Sequence, residues 1–348
     1  MKTEIVKITS PTDERLADAA AIIKRGGLVV FPTETVYGLG GDATSPDAAR
    51  KIYEAKGRPS DNPLIIHVSS PEEAELYAYT GELYYKLARR FMPGPLTLVL
   101  KAKDSVPMAT RGGLPTVAVR CPAHPVAREL IRLAAVPIAA PSANLSGSPS
   151  PTSAPHVIDD MNGRVDMIID GGEADFGLES TILKIDENDK ITLLRPGRIT
   201  KSQLEECVGE VLVSNAVTEA LREGERVLSP GMKYRHYAPK SPVVLIDAEA
   251  RRMVDFIRDD SQGGRIAVIS YTEDIPLIRE MLPLAEVLDF GSRSDEMTQA
   301  HRLFAILREA DKRDYDKIYA PTPNTDGLGL ALYNRMIRAA AYNIVKLN

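Results

Sequence analysis

The segment Leu28–Ala43 reads LVVFPTETVYGLGGDA and joins a short apolar run to a polar, glycine-rich stretch. We predict that Leu28–Phe31 is a buried strand, which Pro32 ends. The polar residues just beyond it are Thr33, Glu34, Thr35 and Tyr37. In α/β proteins, ligand groups sit in this place, at the end of a strand. The segment therefore predicts one wall of a binding site, although an ordinary turn with polar caps accounts for it equally well.

The three glycines of this segment are Gly38, Gly40 and Gly41. Glycine lets the backbone turn tightly or come close to a ligand, and we expect that use of them here. The pattern is neither the dinucleotide-binding GxGxxG nor the phosphate-binding GxxxxGK[ST].

Outward from this segment, short apolar runs alternate with helical patterns. Thr12–Lys24 has helical apolar spacing and is stopped by Gly26–Gly27. Further strands are predicted at Leu64–Val68, Leu96–Leu100, Thr116–Arg120, Val136–Ala140, Met167–Asp170 and Thr181–Ile185. Several are continuous apolar runs, which is typical of strands covered on both faces. We therefore predict an N-terminal α/β domain over residues 1–210, with a large, twisted, mixed sheet.

A second domain is predicted at 242–348, after a linker at 211–241. Strands are expected at Val243–Asp247, Ile266–Ser270, Val287–Phe290 and Lys317–Ala320, with helices at 295–310 and 328–345 among the segments between and after them. This strand–helix rhythm is that of a smaller, doubly wound, Rossmann-like domain with a parallel sheet.

Composition excludes several classes of protein. The 348 residues carry 43 Lys and Arg against 48 Asp and Glu, a formal net charge of −5, which argues against a broad nucleic-acid-binding face. Two cysteines cannot build a disulfide framework or a Cys-rich zinc site, and no metal-ligand spacing occurs. Neither end resembles a leader segment, and no apolar run approaches the ~20 residues of a membrane helix. We expect a cytoplasmic protein without a membrane segment.

The segment KGRPSDNPLIIHV (Lys56–Val68) places Lys56 and Arg58 on either side of a glycine at a predicted helix end. An ammonium and a guanidinium aimed at one place suit a polyphosphate. Asn62 follows, and His67 lies within an apolar strand. The alternatives are that the two cations complement the helix C-terminus and that His67 is a hydrogen-bonded core histidine.

The loop APSANLSGSPSPTS (Ala140–Ser153) follows another strand and is rich in hydroxyls. Its neutral donors, among them Ser142, Asn144 and Ser150, could bind phosphate or nucleotide oxygens, although its composition is that of any loop. Arg120 ends one predicted strand and Arg195 follows another apolar run, whereas Glu179 and Ser180 precede a strand.

The linker contains VLSPGMKYRHYAPKSP (Val227–Pro242), which has neither helical nor strand periodicity. Its basic and aromatic residues are Lys233, Tyr234, Arg235, His236 and Tyr237. Such a cluster favours a segment that lies over a site as a lid, and a passive connector is the alternative.

Taken together, FPTETVYGLG, KGRPSDNPL, SANLSG, ESTI and RPG, in this order, resemble the threonylcarbamoyl-AMP synthase family. The family's Lys-x-Arg and Ser-x-Asn signature matches Lys56, Arg58, Ser142 and Asn144. The longer form of the family also has a linker like SPGMKYRHYAP and a Rossmann-like second domain, so the resemblance covers essentially the whole chain, with a YrdC-like first domain.

The resemblance implies an enzyme that converts L-threonine, bicarbonate or CO2, and ATP into L-threonylcarbamoyl-AMP, pyrophosphate and water. Mg²⁺ would be held through the ATP phosphates, with no metal site in the protein. A separate transferase complex would pass the threonylcarbamoyl group to tRNA, which this chain would serve only indirectly. The cytoplasm would be its compartment.

The resemblance also assigns residues. Lys56 and Arg58 would be catalytic. L-Threonine would contact Thr35, His67, Arg120, Ala140 and Ser180. The nucleotide would contact Lys56, Arg58, Asn62, Thr116, Ser142, Asn144, Ser150, Arg195 and Tyr234.

Two other functions compete with this one. An RNA-binding module could use the cationic pocket for tRNA or double-stranded RNA, although the acidic charge and the aromatic content of 5% argue against it. A carbamoyl-adenylate-forming maturation factor for hydrogenases shares this type of domain, but it carries Cys-rich and acylphosphatase-like regions that this sequence lacks.

Overall fold

A computed structural model describes residues 2–220 and 237–347 of the chain. Their contacts form two compact units. The first comprises 2–146 and 150–217, and the second comprises 147–149, 218–220 and 237–347. The predicted lid residues Lys233, Tyr234, Arg235 and His236 lie outside the described residues, so the limits predicted for the linker stay predictions.

The first unit contains helices and strands in alternation. They are β1 (Glu4–Lys7), α1 (Leu16–Lys24), β2 (Val29–Phe31), β3 (Gly38–Asp42), α2 (Pro46–Lys56), β4 (Ile65–His67), α3 (Glu82–Phe91), β5 (Leu96–Lys101), β6 (Thr116–Arg120), α4 (Pro125–Ala134), β7 (Ile138–Ala139), α5 (Ala154–Met161), β8 (Met167–Asp170), β9 (Thr181–Ile185), β10 (Ile191–Arg195), α6 (Lys201–Val208) and β11 (Leu212–Val213).

The strands of this unit form one mixed sheet. Within the described residues it has eleven strands in the order β1-β8-β2-β3-β7-β4-β6-β5-β9-β10-β11. β4 pairs with β6 in parallel, whereas β5 pairs with β6 antiparallel. A core of apolar side chains from α1, α4, β2 and β8 lies on it, with Leu16, Ile23, Val126 and Leu130 fully buried. The predicted large mixed sheet is confirmed.

Strand β3 corrects the expectation for the glycine-rich segment. Gly38, Gly40 and Gly41 are not in a turn; they lie within a strand that pairs with β2 and β7. A Cβ atom on Gly40 would lie 2.7 Å from Phe31 Cε1 and 2.8 Å from Ile138 Cγ2. Glycine is required here because the side chains of both neighbouring strands occupy the space that a side chain would need.

The second unit contains a five-stranded sheet in which all pairs are parallel. Its elements are β12 (Val243–Asp247), α7 (Ala250–Ser261), β13 (Ile266–Tyr271), α8 (Ile275–Met281), β14 (Glu286–Gly291), α9 (Glu296–Ala310), β15 (Lys317–Pro321), α10 (Gly329–Ala339) and β16 (Ile344–Lys346). Because crossovers between parallel strands are right-handed, the order β14-β13-β15-β12-β16 places α7 and α8 on one face and α9 and α10 on the other, and the helices of each pair contact each other. The predicted doubly wound domain is confirmed.

One boundary in this unit was wrong. The helix predicted to run to Val345 ends at Ala339, and Ile344–Lys346 pairs with β12 instead. The chain leaves the helix because Ala341 and Tyr342 adopt positive φ angles of 49° and 65°. In this conformation the Tyr342 N–H donates to the Ile337 carbonyl at 2.8 Å, which closes the helix end.

No helix within residues 2–220 and 237–347 has both the length and the apolar character needed to cross a bilayer.

The packing at Gly40 generates a stability prediction. Gly40→Ser should lower the free energy of unfolding by about 1–3 kcal/mol or more, because it forces atoms into filled space and buries a hydroxyl. Gly81→Ser is the matched control, because no atom lies within 4 Å of its Cβ position and serine is a favoured residue at the start of α3. Urea unfolding followed by circular dichroism measures both. Equal midpoints for the two variants would contradict this account of β3.

Candidate active site

A row of buried polar side chains lies at one end of one face of the large sheet. In the strand register, His67 of β4 and Thr97 of β5 are both paired with Arg120 of β6, so the three side chains share a face. All three are at most 4% exposed. Farther along this face, the apolar side chains of Ile65, Val99, Ala118, Ile182 and Leu194 form a buried cluster. This face of the sheet therefore has polar side chains at one end and apolar side chains next to them.

The strongest charge interaction at the polar end joins Arg120 to Glu34. Arg120 Nη2 donates to Glu34 Oε1 at 2.6 Å, and both residues are less than 10% exposed. Burial favours the neutral carboxylic acid, but the Arg120 charge and hydrogen bond, with help from the nearby backbone N–H groups of Glu34 and Ala123, outweigh it and hold the pKa of Glu34 below its usual range. Glu34 Oε2 is buried and accepts no hydrogen bond from any described residue.

The loop that carries Glu34 and Thr35 is rigidly held. The Thr33 hydroxyl donates to the Val36 carbonyl at 2.6 Å and lies 2.9 Å from Thr35 Oγ1. The carbonyls of Glu34 and Thr35 accept hydrogen bonds from the backbone N–H groups of Phe176 and Gly177, at 2.9 and 3.1 Å. These contacts hold the backbone that carries both side chains at the end of β2.

His67 is a neutral imidazole in this environment. Burial and the Arg120 charge together lower the pKa of His67 to about 3. Its Nδ1 atom is buried and makes no hydrogen bond within the described part of the chain. The side chain can therefore offer a donor or an acceptor to a ligand, but no positive charge.

Hydroxyl and guanidinium groups continue this row toward β9 and β10. The Ser180 hydroxyl lies 2.7 Å from Thr97 Oγ1. Arg195 donates from Nη2 to the same Ser180 hydroxyl at 3.2 Å and from Nε to the Ser180 carbonyl at 3.0 Å. A second guanidinium is thereby fixed, 6% exposed, at the side of the row away from His67.

Lys56 joins the end of α2 to the loop that follows β7. The helix begins with Ser45 as N-cap and ends at Gly57, whose φ of 60° turns the chain sharply after Lys56. Lys56 is 2% exposed, and its Nζ donates to the carbonyls of Ser142 and Asn144 at 2.5 and 2.6 Å. In turn, the Ser146 N–H donates to the Lys56 carbonyl at 2.8 Å. The ammonium is thus held beside the Ser142–Ser146 loop.

Arg58 contacts a different segment from Lys56. Its Nη2 donates to the carbonyls of Asn62 and Pro63 at 3.3 and 3.1 Å. Asn62 is 1% exposed, and neither its Nδ2 nor its Oδ1 has a hydrogen-bond partner among the described residues. A buried amide without partners is costly, and it indicates a place where a polar ligand binds. The joint role of Lys56 and Arg58 at a polyphosphate stays a prediction.

The remaining predicted residues of this loop are also buried or half-buried. The Ser142 hydroxyl donates to Asn144 Oδ1 at 2.6 Å, and the Ser150 hydroxyl donates to Glu179 Oε1 at 2.5 Å. Ala140 donates its N–H to the Ile65 carbonyl at 2.9 Å, next to the row on β4.

Two further predicted residues are described by the structure in other surroundings. Thr116 begins β6, four residues before Arg120 and therefore ~13 Å from it along the same face. It lines a separate cavity of about 710 Å³ together with Tyr79, Lys101 and Lys184. Tyr237 belongs to the second unit, where its ring packs at 5.1 Å on Phe304. The role of Thr116 at the nucleotide and the role of Tyr237 in a lid stay predictions.

Three buried residues were not assigned a role from the sequence: Glu34, Thr97 and Glu179. For two of them, the sequence contains a feature that could have indicated a role. Glu34 is the charged residue of the polar stretch after β2, and Thr97 is the polar residue within the apolar run LTLVL. Nothing local to Glu179 indicates its bond to Ser150, 29 residues away.

Among the described residues, no three His, Cys, Asp or Glu side chains are placed together to hold a metal ion.

Comparison with known sequences gives matches over both units. The family profile described as "Telomere recombination" matches residues 21–197, and the one described as "Threonylcarbamoyl-AMP synthase, C-terminal domain" matches 199–341. A threonylcarbamoyl-AMP synthase from Pyrococcus abyssi is 43% identical, over 99% of this chain and 100% of its own length. Another from Bacillus subtilis is also 43% identical, over 97% of this chain and 96% of its own length.

Comparison with solved structures also gives matches over nearly the whole chain. A crystal structure of P. abyssi Sua5 complexed with L-threonine has a TM-score of 0.90 and 43% identity, and it covers 99% of this chain and 100% of that one. A structure of a double-alanine variant of P. abyssi Sua5 has the same TM-score at 42% identity, over 99% and 98% of the two chains.

The depressed pKa of His67 generates a prediction about stability and pH. The unfolded chain binds a proton at this histidine near pH 6.5, whereas the folded chain binds it only near pH 3. Stability should therefore fall as the pH drops below 6.5, by about 1.4 kcal/mol per pH unit from this residue. In His67→Gln that contribution is absent, so its loss of stability between pH 7 and 4.5 should be smaller. Chemical denaturation at both pH values tests this, and an identical loss in both proteins would contradict it.

Proposed function

The chain belongs to the threonylcarbamoyl-AMP synthase family, and we propose that the polar row of its first unit makes L-threonylcarbamoyl-AMP from L-threonine, bicarbonate or CO2, and ATP. It is thus an enzyme of the nucleotidyltransferase type. Pyrophosphate is the other product, together with water when bicarbonate is the carbon source. The observation that carries the proposal is the buried guanidinium of Arg120, within a pocket wall of neutral hydroxyl, amide and imidazole groups.

The chemistry suits a pocket that positions its substrates and supplies no nucleophile. The carbamate of threonine is itself the nucleophile, and it attacks the α-phosphorus of ATP. What the protein must supply is orientation, together with positive charge where negative charge accumulates on the phosphates. Buried hydroxyls, amides and guanidinium groups on a rigid sheet meet this need.

L-Threonine is proposed to bind along the row on β4, β6 and β9. Arg120 is the partner for its carboxylate, because a guanidinium binds a carboxylate through paired hydrogen bonds. Thr35, His67 and Ser180 supply neutral polar groups around the amino acid. Ala140 contributes through its backbone. A neutral His67 fits this role, because a second cation beside Arg120 would bring repulsion within a buried site.

ATP is proposed to bind beside the Ser142–Ser146 loop. Lys56 holds this loop and supplies its positive charge, and Arg58, Asn62 and Arg195 add further donors. Ser142, Asn144 and Ser150 are the hydroxyl and amide groups of the loop that would contact the nucleotide, with Thr116 and Tyr234 as additional predicted contacts. The unsatisfied amide of Asn62 supports a ligand at this place.

We propose that Mg²⁺ binds to the enzyme together with ATP. It would neutralise part of the polyphosphate charge when bound. Glu34 is already paired with Arg120 and Glu179 accepts from Ser150, so the ion's oxygen ligands would come mainly from phosphate. The product is a reactive mixed anhydride that a separate transferase complex would use on tRNA.

Incubation of the purified chain with ATP, L-threonine and ¹³C-labelled bicarbonate tests the proposal. Mass analysis should detect an adenylate that carries the label, and pyrophosphate release should require all three substrates. Pyrophosphate release without threonine, or the absence of the labelled adenylate, would contradict it.

Arg120 generates a prediction about substrate binding. Arg120→Gln should weaken L-threonine binding by about 2–5 kcal/mol and ATP binding much less, because it removes the carboxylate partner from a buried site. Arg128→Gln is the matched control on the following helix, where the side chain is exposed. Calorimetric titration with each ligand measures the effect. If both ligands are weakened equally, Arg120 supports the structure of the pocket and does not select threonine.

Lys56 generates a prediction about turnover. Lys56→Met should lower adenylate formation ~10²–10³-fold, because it removes a charge that acts on the phosphates and releases the Ser142–Ser146 loop. Lys51→Met, on the exposed face of the same helix, should retain the rate of the unmodified chain. Pyrophosphate release at saturating substrates measures both, and near-normal turnover of Lys56→Met would exclude this role.

A further inference from the structure

Glu34 is the buried carboxylate of the pocket that is ion-paired with Arg120. One of its oxygens is paired at 2.6 Å, and the other is buried without a hydrogen bond to any described residue. A carboxylate that takes part in structure alone normally satisfies both oxygens when it is buried. The unpaired acceptor atom lies on the same side chain that contacts the proposed partner of the threonine carboxylate.

We infer that Glu34 is a further catalytic residue of this site: its Oε2 binds the ammonium group of L-threonine and removes the proton that this nitrogen must lose before it can be carboxylated. The inference rests on the proposed function. It adds a base to a reaction that otherwise needs only positioning.

The reaction requires such a step. At neutral pH the amino group of threonine is mostly an ammonium group, which has no lone pair and cannot attack carbon. Arg120 binds the carboxylate of the amino acid, and the ammonium group is only two bonds farther along the molecule. An anion that already contacts Arg120 is therefore within reach of the nitrogen.

The groups around Glu34 leave it as the acceptor for this proton. His67 on β4 is held neutral by burial and by Arg120, with its pKa at about 3. His124, which precedes α4, also has a lowered pKa because it is buried. Cys121, next to Arg120, has its pKa raised to about 12 by burial and remains a thiol. Glu34 is the anion of this set, since Arg120 keeps it ionised.

Substrate binding increases the basicity of Glu34. In the free enzyme the Arg120 charge opposes the effect of burial on this carboxylate. When the threonine carboxylate also binds to Arg120, two anions share one guanidinium, and burial then favours protonation of Glu34. The carboxylate thus becomes a better base at the moment when the ammonium group is present.

With carbon dioxide as the carbon source, the reaction begins at the nitrogen of threonine. An N–H bond of the ammonium group breaks, its proton passes to Glu34 Oε2, and the electron pair stays on nitrogen. The amine attacks the carbon of CO2, an N–C bond forms, and one C=O pair moves onto oxygen. The second proton on nitrogen passes to water and leaves the carbamate, and Glu34 returns its proton to solvent after product release.

Glu34→Gln tests the inference, because glutamine keeps the shape and the hydrogen bond to Arg120 but cannot accept the proton. We expect kcat/KM for threonine to fall ~10²–10⁴-fold at pH 7, the range typical of a lost general base. The deficit should shrink tenfold for each unit of rising pH, because the solution then supplies more free amine. Glu129→Gln, a half-buried carboxylate that pairs with Arg132 on α4, is the matched control and should retain the profile of the unmodified enzyme.

A second readout separates catalysis from structure. The reverse reaction of purified L-threonylcarbamoyl-AMP with pyrophosphate forms ATP by adenylyl transfer alone and needs no proton removal from an ammonium group. Glu34→Gln should retain this exchange within threefold. Should glutamine impair folding, Glu34→Asp keeps the charge and should show the pH profile of the unmodified enzyme at a reduced rate.

These experiments distinguish failure of the inference about Glu34 from failure of the proposed function. A parallel pH profile in Glu34→Gln, loss of the reverse exchange in the folded variant, or a glutamine-like profile in Glu34→Asp each overturns the inference and assigns Glu34 a structural role. Failure of the unmodified enzyme to form the adenylate would instead overturn the proposed function.

Discussion

The buried guanidinium of Arg120 is the constraint on which the pocket of the first unit depends. A charge removed from water costs several kcal/mol unless a partner compensates it. Here the partner, Glu34, comes from the loop after β2, so the ion pair ties the centre of the large sheet to a segment 86 residues away in sequence. Together with burial, the same charge keeps His67 neutral, so the imidazole adds no second cation beside the ion pair.

The sequence predicts the strands whose side chains carry a pattern. The bounds of β6, β8, β9 and β12 agree with prediction because each contains an apolar run bordered by polar residues. β3 was missed because glycine has no side chain from which periodicity could be read, and close packing of two neighbours determines its place. β16 was missed because its residues continue the spacing of α10, and the helix ends through positive φ angles that alanine and tyrosine seldom adopt.

For the site, residue types could be predicted but their partners could not. Lys56 and Arg58 were recognised from their spacing, yet each side chain donates to a different segment, and only the folded chain brings Ser142 and Pro63 to them. The pairing of Glu34 with Arg120 and the position of Thr97 opposite Ser180 depend on strand register across the sheet. Such long-range pairing leaves no trace in local composition, so Glu34 was placed near a ligand but given no role.

The amide of Asn62 has a consequence for inhibitor chemistry. Folding has already removed its donor and its acceptor from water, and no hydrogen bond to the described protein replaces that hydration. A small molecule that presents an acceptor and a donor side by side to this amide would gain two hydrogen bonds without a new desolvation penalty on the protein side. A lactam or an aminopyrimidine edge has this arrangement, whereas a purely apolar fragment of the same size would leave the amide unsatisfied and bind less tightly.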